Sequence, residues 1–122
     1  MLRARKANVL VLMLGLAASA IAQSPTVETT IAAVEEEFAN ILLAASPTEL
    51  RELGLTVGTK FTFTHNDRSY TATLVEEYAD VERGDWLGRM WEDRVELAIS
   101  FGNACTAIGC KVGDAVTIQL GE

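Results

Sequence analysis

The sequence from Val95 to Ile118, Val-Glu-Leu-Ala-Ile-Ser-Phe-Gly-Asn-Ala-Cys-Thr-Ala-Ile-Gly-Cys-Lys-Val-Gly-Asp-Ala-Val-Thr-Ile, predicts a strand, a short helical turn and a final strand, separated by glycine turns. Its first residues alternate between large apolar side chains and smaller or polar ones, which is the period of a half-buried strand. Gly102-Asn103 can adopt the positive φ that a sharp turn requires. Gly109 then ends a helical turn, and the last strand is expected over residues 115–120.

Three other stretches alternate in the same way and predict further strands. They cover residues 59–65, 69–76 and 86–91, and Asn66-Asp67 between the first two has the composition of a hairpin turn. Six or seven short strands with one or two short helices indicate a mainly β fold. We expect a small closed or nearly closed antiparallel β-barrel, since closure also hides the strand edges.

A short helix is predicted after Ser46. Ser46 suits the N-cap, Pro47 the first helical position, and Glu49 the N3 position of a capping box. Gly54 is expected to end this helix near Leu53, because glycine tolerates the left-handed conformation that follows many helices.

The N-terminal residues have the features of a signal peptide. Arg3, Arg5 and Lys6 precede an apolar run over residues 9–16, and Ala20-Ile21-Ala22 forms a small-x-small cleavage site. The apolar run is shorter than the ~20 residues that a membrane-spanning helix needs, which favours cleavage over an uncleaved anchor. We therefore expect a signal peptide over residues 1–22, an exported (periplasmic or secreted) domain over residues 23–122, and no stable membrane span after cleavage.

The charge of the chain argues against nucleic acid as a partner. The formal net charge is −7. The only charged side chains in the predicted signal peptide are basic, so the net charge of the remaining domain is more negative still. Nucleic-acid-binding proteins carry clustered basic residues, whereas here carboxylates cluster at Glu35-Glu36-Glu37 and Glu76-Glu77.

The residues that usually carry catalysis or metal binding are few. His65 is the only histidine, and its place beside a turn predicts a solvated loop residue. We expect no metal site and no catalytic residue, because one histidine and two close cysteines are too few ligands for zinc. Cys105 and Cys110 either form a disulfide, if Gly109 breaks the helix between them, or remain two buried thiols.

Several motifs resemble the C-terminal domain of the S-adenosyl-L-methionine hydroxide adenosyltransferases, relatives of the fluorinase. The residues that carry the resemblance are Glu96, Ala98, Gly102-Asn103-Ala104, Gly109, Val112-Gly113-Asp114 and Val116-Thr117-Ile118, with Tyr78, Asp80 and Gly84-Asp85 upstream. In those enzymes a larger N-terminal α/β domain carries the catalytic residues, and a small C-terminal β-barrel closes over the adenosine. The resemblance covers the C-terminal domain only and implies the same barrel fold here.

For residues 31–45 the sequence pattern and the family resemblance predict different structures. Helical spacing of apolar residues and an alanine- and glutamate-rich composition favour a helix. The family has a strand, a Phe-Gly-Asn turn and a second strand, whereas this chain has Phe38-Ala39-Asn40. We favour the two strands, which requires Ala39 to adopt a conformation usually left to glycine.

The resemblance assigns ligand contacts to four residues. Asn40 matches the asparagine that faces the adenine, and Glu35 falls where the family has an aspartate that meets the methionine ammonium. Asn103 and Ala104 match a turn whose backbone borders the adenine. The family's Asn-Ser pair, which holds the amino-acid end, is absent from residues 90–94. A purely structural alternative is that Asn40 and Asn103 are turn residues, since asparagine tolerates left-handed φ.

These observations predict an exported, non-catalytic module that binds a nucleoside-like ligand, such as adenosine or S-adenosyl-L-methionine, or a partner protein, with no other cofactor. By resemblance it would form a homo-oligomer, a trimer in the family. One alternative is an enzyme component that hydrolyses S-adenosyl-L-methionine with a separate N-terminal domain. Another is a structural envelope protein that has lost the ligand.

Overall fold

The computed structural model of the protein describes residues 24–121, so the predicted signal peptide over residues 1–22 lies outside the described residues. Within that range the chain forms seven strands, two short α-helices and one 3₁₀ turn. The strands are β1 (Thr26–Val34), β2 (Ile41–Leu43), β3 (Lys60–His65), β4 (Arg68–Leu74), β5 (Trp86–Trp91), β6 (Arg94–Ile99) and β7 (Ala115–Leu120). The helices are α1 (Pro47–Leu53) and α2 (Ala104–Ile108), and the 3₁₀ turn is Tyr78–Asp80.

The strands close into a barrel in the order β1-β2-β6-β5-β4-β3-β7, with β7 pairing back onto β1. The predicted mainly β fold and closed barrel are thereby confirmed. Each strand finds partners on both sides, so closure satisfies the edge hydrogen bonds that an open sheet would expose.

One pair of strands differs from the antiparallel arrangement that the sequence predicted. β4 and β5 are parallel, with Thr73 opposite Leu87 and Leu74 opposite Gly88, so the barrel is mixed. The reason is the connection over residues 75–85, which contains the 3₁₀ turn and carries the chain back before β5 begins. A crossover connection is what a parallel pair requires, and a hairpin turn cannot provide it.

Residues 31–45 adopt the strand-turn-strand structure, and the helical alternative is wrong. β1 pairs antiparallel with β2, with Ile31 opposite Leu43 and Val34 opposite Ile41. Ala39 in the turn has a φ of 55°, so it takes the left-handed conformation that glycine would take more readily. Tertiary pairing outweighs the helix propensity of this segment.

The predicted helix ends and hairpin turn are confirmed. The Ser46 side chain accepts from the Glu49 backbone N–H at the start of α1, and the Glu49 side chain accepts from the Ser46 N–H in return. Gly54 ends α1 with a φ of 115°. The turn between β3 and β4 places Asn66 and Asp67 at φ values of 50° and 65°, as a tight hairpin requires.

The core fills the barrel with alternate residues of the strands. Phe61 and Phe63 of β3 are buried, and the Phe63 ring lies about 5 Å from the rings of Tyr70 and Trp86. Gly88 leaves the space that Phe61 occupies, since an added Cβ would lie 2.7 Å from the Phe61 Cζ. No helix in the described part of the chain is long and apolar enough to cross a membrane.

His65 is not the solvated loop residue that the sequence suggested. It is the last residue of β3, only 1% exposed, and its Nε2 lies 2.8 Å from Asp114 Oδ2. The same Asp114 oxygen accepts from the Lys111 backbone N–H at 2.9 Å. The hydrogen bond with His65 is the main cause that holds the pKa of the Asp114 carboxyl below its usual range, and the Lys111 N–H adds to it. The imidazole thus joins the end of β3 to the loop before β7.

Cys105 and Cys110 form a disulfide, with their Cα atoms 5.0 Å apart. Gly109 makes this possible by ending α2 in the left-handed conformation, at a φ of 68°. The disulfide therefore closes a short loop around the end of α2.

We expect Asp114→Asn to lower the free energy of unfolding at neutral pH, with a deficit that disappears in acid. A folded-state pKa below the unfolded value means that the stabilisation is complete above about pH 4 and is lost as pH falls through the folded-state pKa. Urea unfolding of the wild type and the variant at several pH values measures this. Asp93→Asn, in the exposed β5–β6 turn, is the matched control and should show no pH-dependent deficit. A deficit of equal size at neutral and strongly acidic pH would contradict the account.

Ala39→Val should destabilise the fold by about 1–3 kcal/mol, because a β-branched residue is strained at positive φ. Ala32→Val, at an exposed position of β1, is the control and should change stability by less than about 0.5 kcal/mol. Urea unfolding midpoints of the two variants provide the comparison. Equal effects of both substitutions would show that the turn conformation is not the source of the cost.

Candidate functional site

An open pocket of about 360 Å³ lies where the β1–β2 turn, the 3₁₀ turn and the end of β6 meet. Its size is within the range of small-molecule sites. Seven residues line it: Glu35, Phe38, Asn40, Tyr78, Ile99, Phe101 and Gly102.

Asn40 is the most buried polar residue of the pocket lining, at 3% exposed. Its Nδ2 donates to Glu96 Oε2 at 3.0 Å and to the Tyr78 hydroxyl oxygen at 3.4 Å. The Tyr78 hydroxyl in turn donates to Glu96 Oε1 at 2.9 Å. We call these three side chains the amide-carboxylate cluster. A carboxylate in a nearly buried position needs such donors, since an unpaired buried charge is costly.

Arg89 supports the amide-carboxylate cluster from β5. It stands opposite Glu96 in the β5–β6 pairing, and its Nη1 lies 3.5 Å from Glu96 Oε1. Its guanidinium carbon lies 4.6 Å from the centre of the Tyr78 ring, within the range of a cation–π contact. Its Nε donates to the backbone carbonyl of Glu76 at 2.9 Å, which fixes the side chain. Arg89 therefore holds Tyr78 and Glu96 together.

Tyr78 remains a hydrogen-bond donor at neutral pH. Burial raises the pKa of its hydroxyl above its ordinary value, and the hydrogen bond to Glu96 and the charge of that carboxylate raise it further, while Arg89 acts in the opposite direction. The Tyr78 backbone is fixed as well, because the buried Ser100 hydroxyl donates to the Tyr78 carbonyl at 3.0 Å.

Two exposed phenylalanines form the apolar part of the pocket. Phe38 is 51% exposed and Phe101 is 70% exposed, and Ile99 is a further apolar lining residue. Arg83 covers the Phe101 ring, with its guanidinium carbon 4.2 Å from the ring centre. Exposed aromatic rings beside a concave surface are typical of sites that bind flat ligands.

The backbone is strained on both sides of the pocket. Ala39 follows Phe38 with a φ of 55°, and Phe101 itself has a φ of 59°. Each costs roughly 1 kcal/mol or more, and such strain is often found at ligand sites.

The prediction that Gly102-Asn103 adopts a positive φ is wrong. The residue with positive φ in this turn is Phe101. Gly102 is required for another reason: an added Cβ would lie 2.6 Å from the Ile99 Cγ2.

Glu35 lies at the pocket. Its Oε1 accepts from the Phe38 backbone N–H at 3.2 Å, and its own N–H donates to the Asn40 carbonyl at 2.9 Å. On the other side of the turn, the backbone N–H of Cys105 donates to the Ala39 carbonyl at 2.9 Å, which ties the turn to the disulfide-bonded loop. The turn that carries Glu35 and Asn40 is therefore held on both sides.

The other two predicted contact residues are placed differently. Asn103 is exposed and precedes α2, and its backbone carbonyl accepts from the Ala107 N–H at 3.0 Å. Ala104 is fully buried in the core. Neither is among the residues that line the pocket, where Phe101 and Gly102 represent this turn.

The turn interpretation of the two asparagines does not hold. Asn103 has a φ of −117°, and Asn40 is not among the described residues with positive φ. Ala39 supplies the left-handed residue of the β1–β2 turn, which leaves the Asn40 side chain to the amide-carboxylate cluster.

The sequence did not identify Tyr78, Glu96 and Phe101 as site residues. A signal was present for the first two, because both belong to the motifs that carry the family resemblance. Phe101 lies in the turn after β6, which ends at Ile99. A large apolar side chain in an exposed turn is a sign of a ligand-binding or protein-binding surface. The barrel fold brings these three residues together, since they come from separate segments of the chain.

Metal ligands and acid–base groups were expected to be few. Among residues 24–121, no group of three or more His, Cys, Asp or Glu side chains could hold a metal ion. His65 does not line the pocket. The polar groups that do line it are suited to hydrogen bonding with a ligand.

Comparison with known proteins agrees with the resemblance. A family model described as the SAM hydroxide adenosyltransferase C-terminal domain matches residues 29–117. No curated protein sequence matches the chain. Among solved structures, an uncharacterized conserved protein from Thermotoga maritima is 20% identical with a TM-score of 0.73, over 77% of this chain and 36% of that one. A conserved hypothetical protein from Thermus thermophilus is 20% identical with a TM-score of 0.54, over 77% of this chain and 34% of that one.

These two likenesses concern the fold alone, and this chain spans about a third of the length of either protein. The family model, in contrast, covers most of the chain and all seven strands at least in part. The chain therefore belongs to the SAM hydroxide adenosyltransferase C-terminal domain family.

Proposed function

We propose that this chain is an exported binding module, without catalytic activity of its own, whose pocket holds a flat nucleoside-like ligand. The observation that carries the proposal is the combination of two exposed phenylalanine rings with a buried, fixed asparagine amide in one pocket. Rings can stack on a base, and an amide can hydrogen-bond its edge.

The aromatic rim supplies affinity without much specificity. Stacking of a base on an aromatic side chain contributes about 1–3 kcal/mol, and every base has a face that can stack. Phe101 is well suited to this, because its ring is exposed and the contact with the Arg83 guanidinium restrains it. A ring that is already fixed loses little entropy when the ligand binds.

Family membership indicates which flat ligand to test first. The matched family is described as the C-terminal domain of SAM hydroxide adenosyltransferase, so adenosine and S-adenosyl-L-methionine are the natural candidates. Glu35 at the pocket could meet a ligand ammonium group, since its side chain is exposed and acidic.

The open pocket also suggests that a second protein covers its rim. Much of the rim is apolar and exposed, and apolar rims of this kind are often covered by a partner. The partner could be a second copy, in a trimer by family resemblance, or a separate protein. Either would enclose a ligand more fully than the barrel does alone.

A second candidate function is that of an enzyme component. The two similar solved structures are about three times longer than the matched region, so this barrel accompanies a larger segment there. With a separate α/β domain the chain would take part in hydrolysis of S-adenosyl-L-methionine to adenosine and methionine. Adenosine formation only after addition of such a domain would favour this alternative.

We expect calorimetric titration of the purified protein to show saturable binding of adenosine or S-adenosyl-L-methionine without turnover. Phe101→Ala should weaken binding about tenfold or more, from the loss of one stacking contact. Trp91→Ala is the matched control, because Trp91 is also exposed but does not line the pocket. Equal effects of the two substitutions, or no heat with either ligand, would contradict the proposal and favour a structural role.

Export predicts a defined new N-terminus. Expression of the full chain in a bacterial host, followed by mass measurement of the exported fraction, should find a protein that begins at Gln23. A chain that retains Met1 and remains in the cytoplasm would contradict export.

A further inference from the structure

We propose that the Cys105–Cys110 disulfide is a redox switch for the pocket: its formation fixes the β1–β2 turn, and its reduction releases that turn. The switch does not depend on which ligand the pocket takes. Its timing in the cell rests on the export proposed above, because the two thiols would be oxidised once the chain leaves a reducing compartment.

A backbone hydrogen bond connects the disulfide-bonded loop to the pocket. The Cys105 N–H is one of the first N–H groups of α2, which find no acceptor within the helix itself. It donates instead to the Ala39 carbonyl at 2.9 Å. Ala39 lies between Phe38 and Asn40, and both of these residues line the pocket. A movement of the start of α2 therefore changes one side of the pocket.

The conformation of Ala39 depends on its surroundings. Its φ of 55° lies in the left-handed region, which costs free energy for alanine and persists only where neighbouring groups hold it. The Glu35 N–H closes the base of the turn by donating to the Asn40 carbonyl at 2.9 Å. The Cys105 N–H holds the turn at Ala39 itself, so loss of this bond leaves the strained residue free to relax.

The helix α2 is too short to keep its own position. It has five residues, Ala104–Ile108, far fewer than an isolated helix needs for stability. Gly109 ends it in the left-handed conformation, and the disulfide joins its second residue, Cys105, to Cys110 just beyond its end. The cross-link removes open conformations of this loop, and reduction restores them.

The far end of the disulfide is attached to a turn that the barrel holds in place. Cys110 leads directly into residues 111–114, where the Asp114 carboxylate pairs with the buried His65. The Asp114 carbonyl also accepts from the Ile31 N–H of β1 at 2.9 Å. The disulfide thus ties the start of α2, and through it the pocket, to a fixed part of the barrel.

A dithiol reductant can reach the disulfide from the Cys110 side. Cys110 is only partly buried, whereas Cys105 is 8% exposed. One thiolate of the reductant attacks the Cys110 sulfur, and Cys105 leaves as a thiolate that takes up a proton. The second thiolate of the reductant then displaces Cys110 and closes the reductant's own disulfide. Two electrons and two protons pass to the protein, and an oxidised dithiol reverses the reaction.

The first measurement is amide hydrogen exchange of the oxidised and the dithiol-reduced protein, followed by nuclear magnetic resonance. Reduction should accelerate exchange of the Cys105 and Glu35 N–H groups by about tenfold or more, because local opening of α2 and of the turn exposes them. The Gly58 N–H, which donates to the Leu74 carbonyl at 2.7 Å before β3, is the control and should change by less than about twofold.

Cys110→Ala removes the disulfide and leaves the buried Cys105 in place. This variant should exchange like the reduced wild type, and the reductant should not change it further, since the chain has only two cysteines. Ala107→Ser, at an exposed position of α2, is the matched control and should exchange like the oxidised wild type. Unchanged exchange at Cys105 would overturn the switch. Equal acceleration at Gly58, or unfolding of the whole reduced protein, would also overturn it, because the disulfide would then stabilise the entire barrel.

The second measurement is calorimetric titration with adenosine as the probe. The oxidised protein should bind adenosine about tenfold or more tightly than the reduced protein, because reduction lowers the fraction of molecules with a formed pocket. Equal affinity of the two forms would overturn the switch. If the oxidised protein binds no adenosine, the proposed function fails, and the exchange rates at Cys105 and Glu35 still decide whether reduction releases the turn.

Discussion

The Glu96 carboxylate is the constraint on which the candidate site depends. Its side chain is only 12% exposed, and a charge in that position must be surrounded by donors. Asn40, Tyr78 and Arg89 supply them from three different segments of the chain. In doing so they fix the direction of one amide and one hydroxyl. The positions of the Asn40 amide and the Tyr78 hydroxyl at the pocket follow from satisfying this one carboxylate.

The barrel brings these donors together. β6 lies between β2 and β5, so Glu96 stands opposite Leu42 on one side and Arg89 on the other. Asn40 immediately precedes β2, which places its amide beside the carboxylate. The parallel pairing of β4 with β5 forces a long connection, and that connection carries Tyr78 to the same place. The departure from an antiparallel barrel is therefore part of what builds the site.

Local signals predicted much of the fold, whereas the candidate site joins residues that are distant in sequence. The capping box at Ser46 and the alternation within the strands each follow from a few adjacent residues. The family resemblance assigned a ligand contact to Asn40 and assigned no role to Glu96, which is its hydrogen-bond partner in the structure. His65 was misjudged because its burial depends on Asp114, which belongs to a loop nearly fifty residues away along the chain. Such partners are set by strand order, which no local pattern encodes.

The most direct test of the account is to locate the ligand on the protein. Two-dimensional ¹H–¹⁵N spectra recorded during addition of adenosine should show the largest shifts at Phe38, Asn40, Phe101 and Gly102, with Trp91 unaffected. Such a pattern would place a nucleoside-like ligand in the pocket beside the amide-carboxylate cluster. Shifts that are scattered over the barrel, or that centre on Trp91, would contradict it.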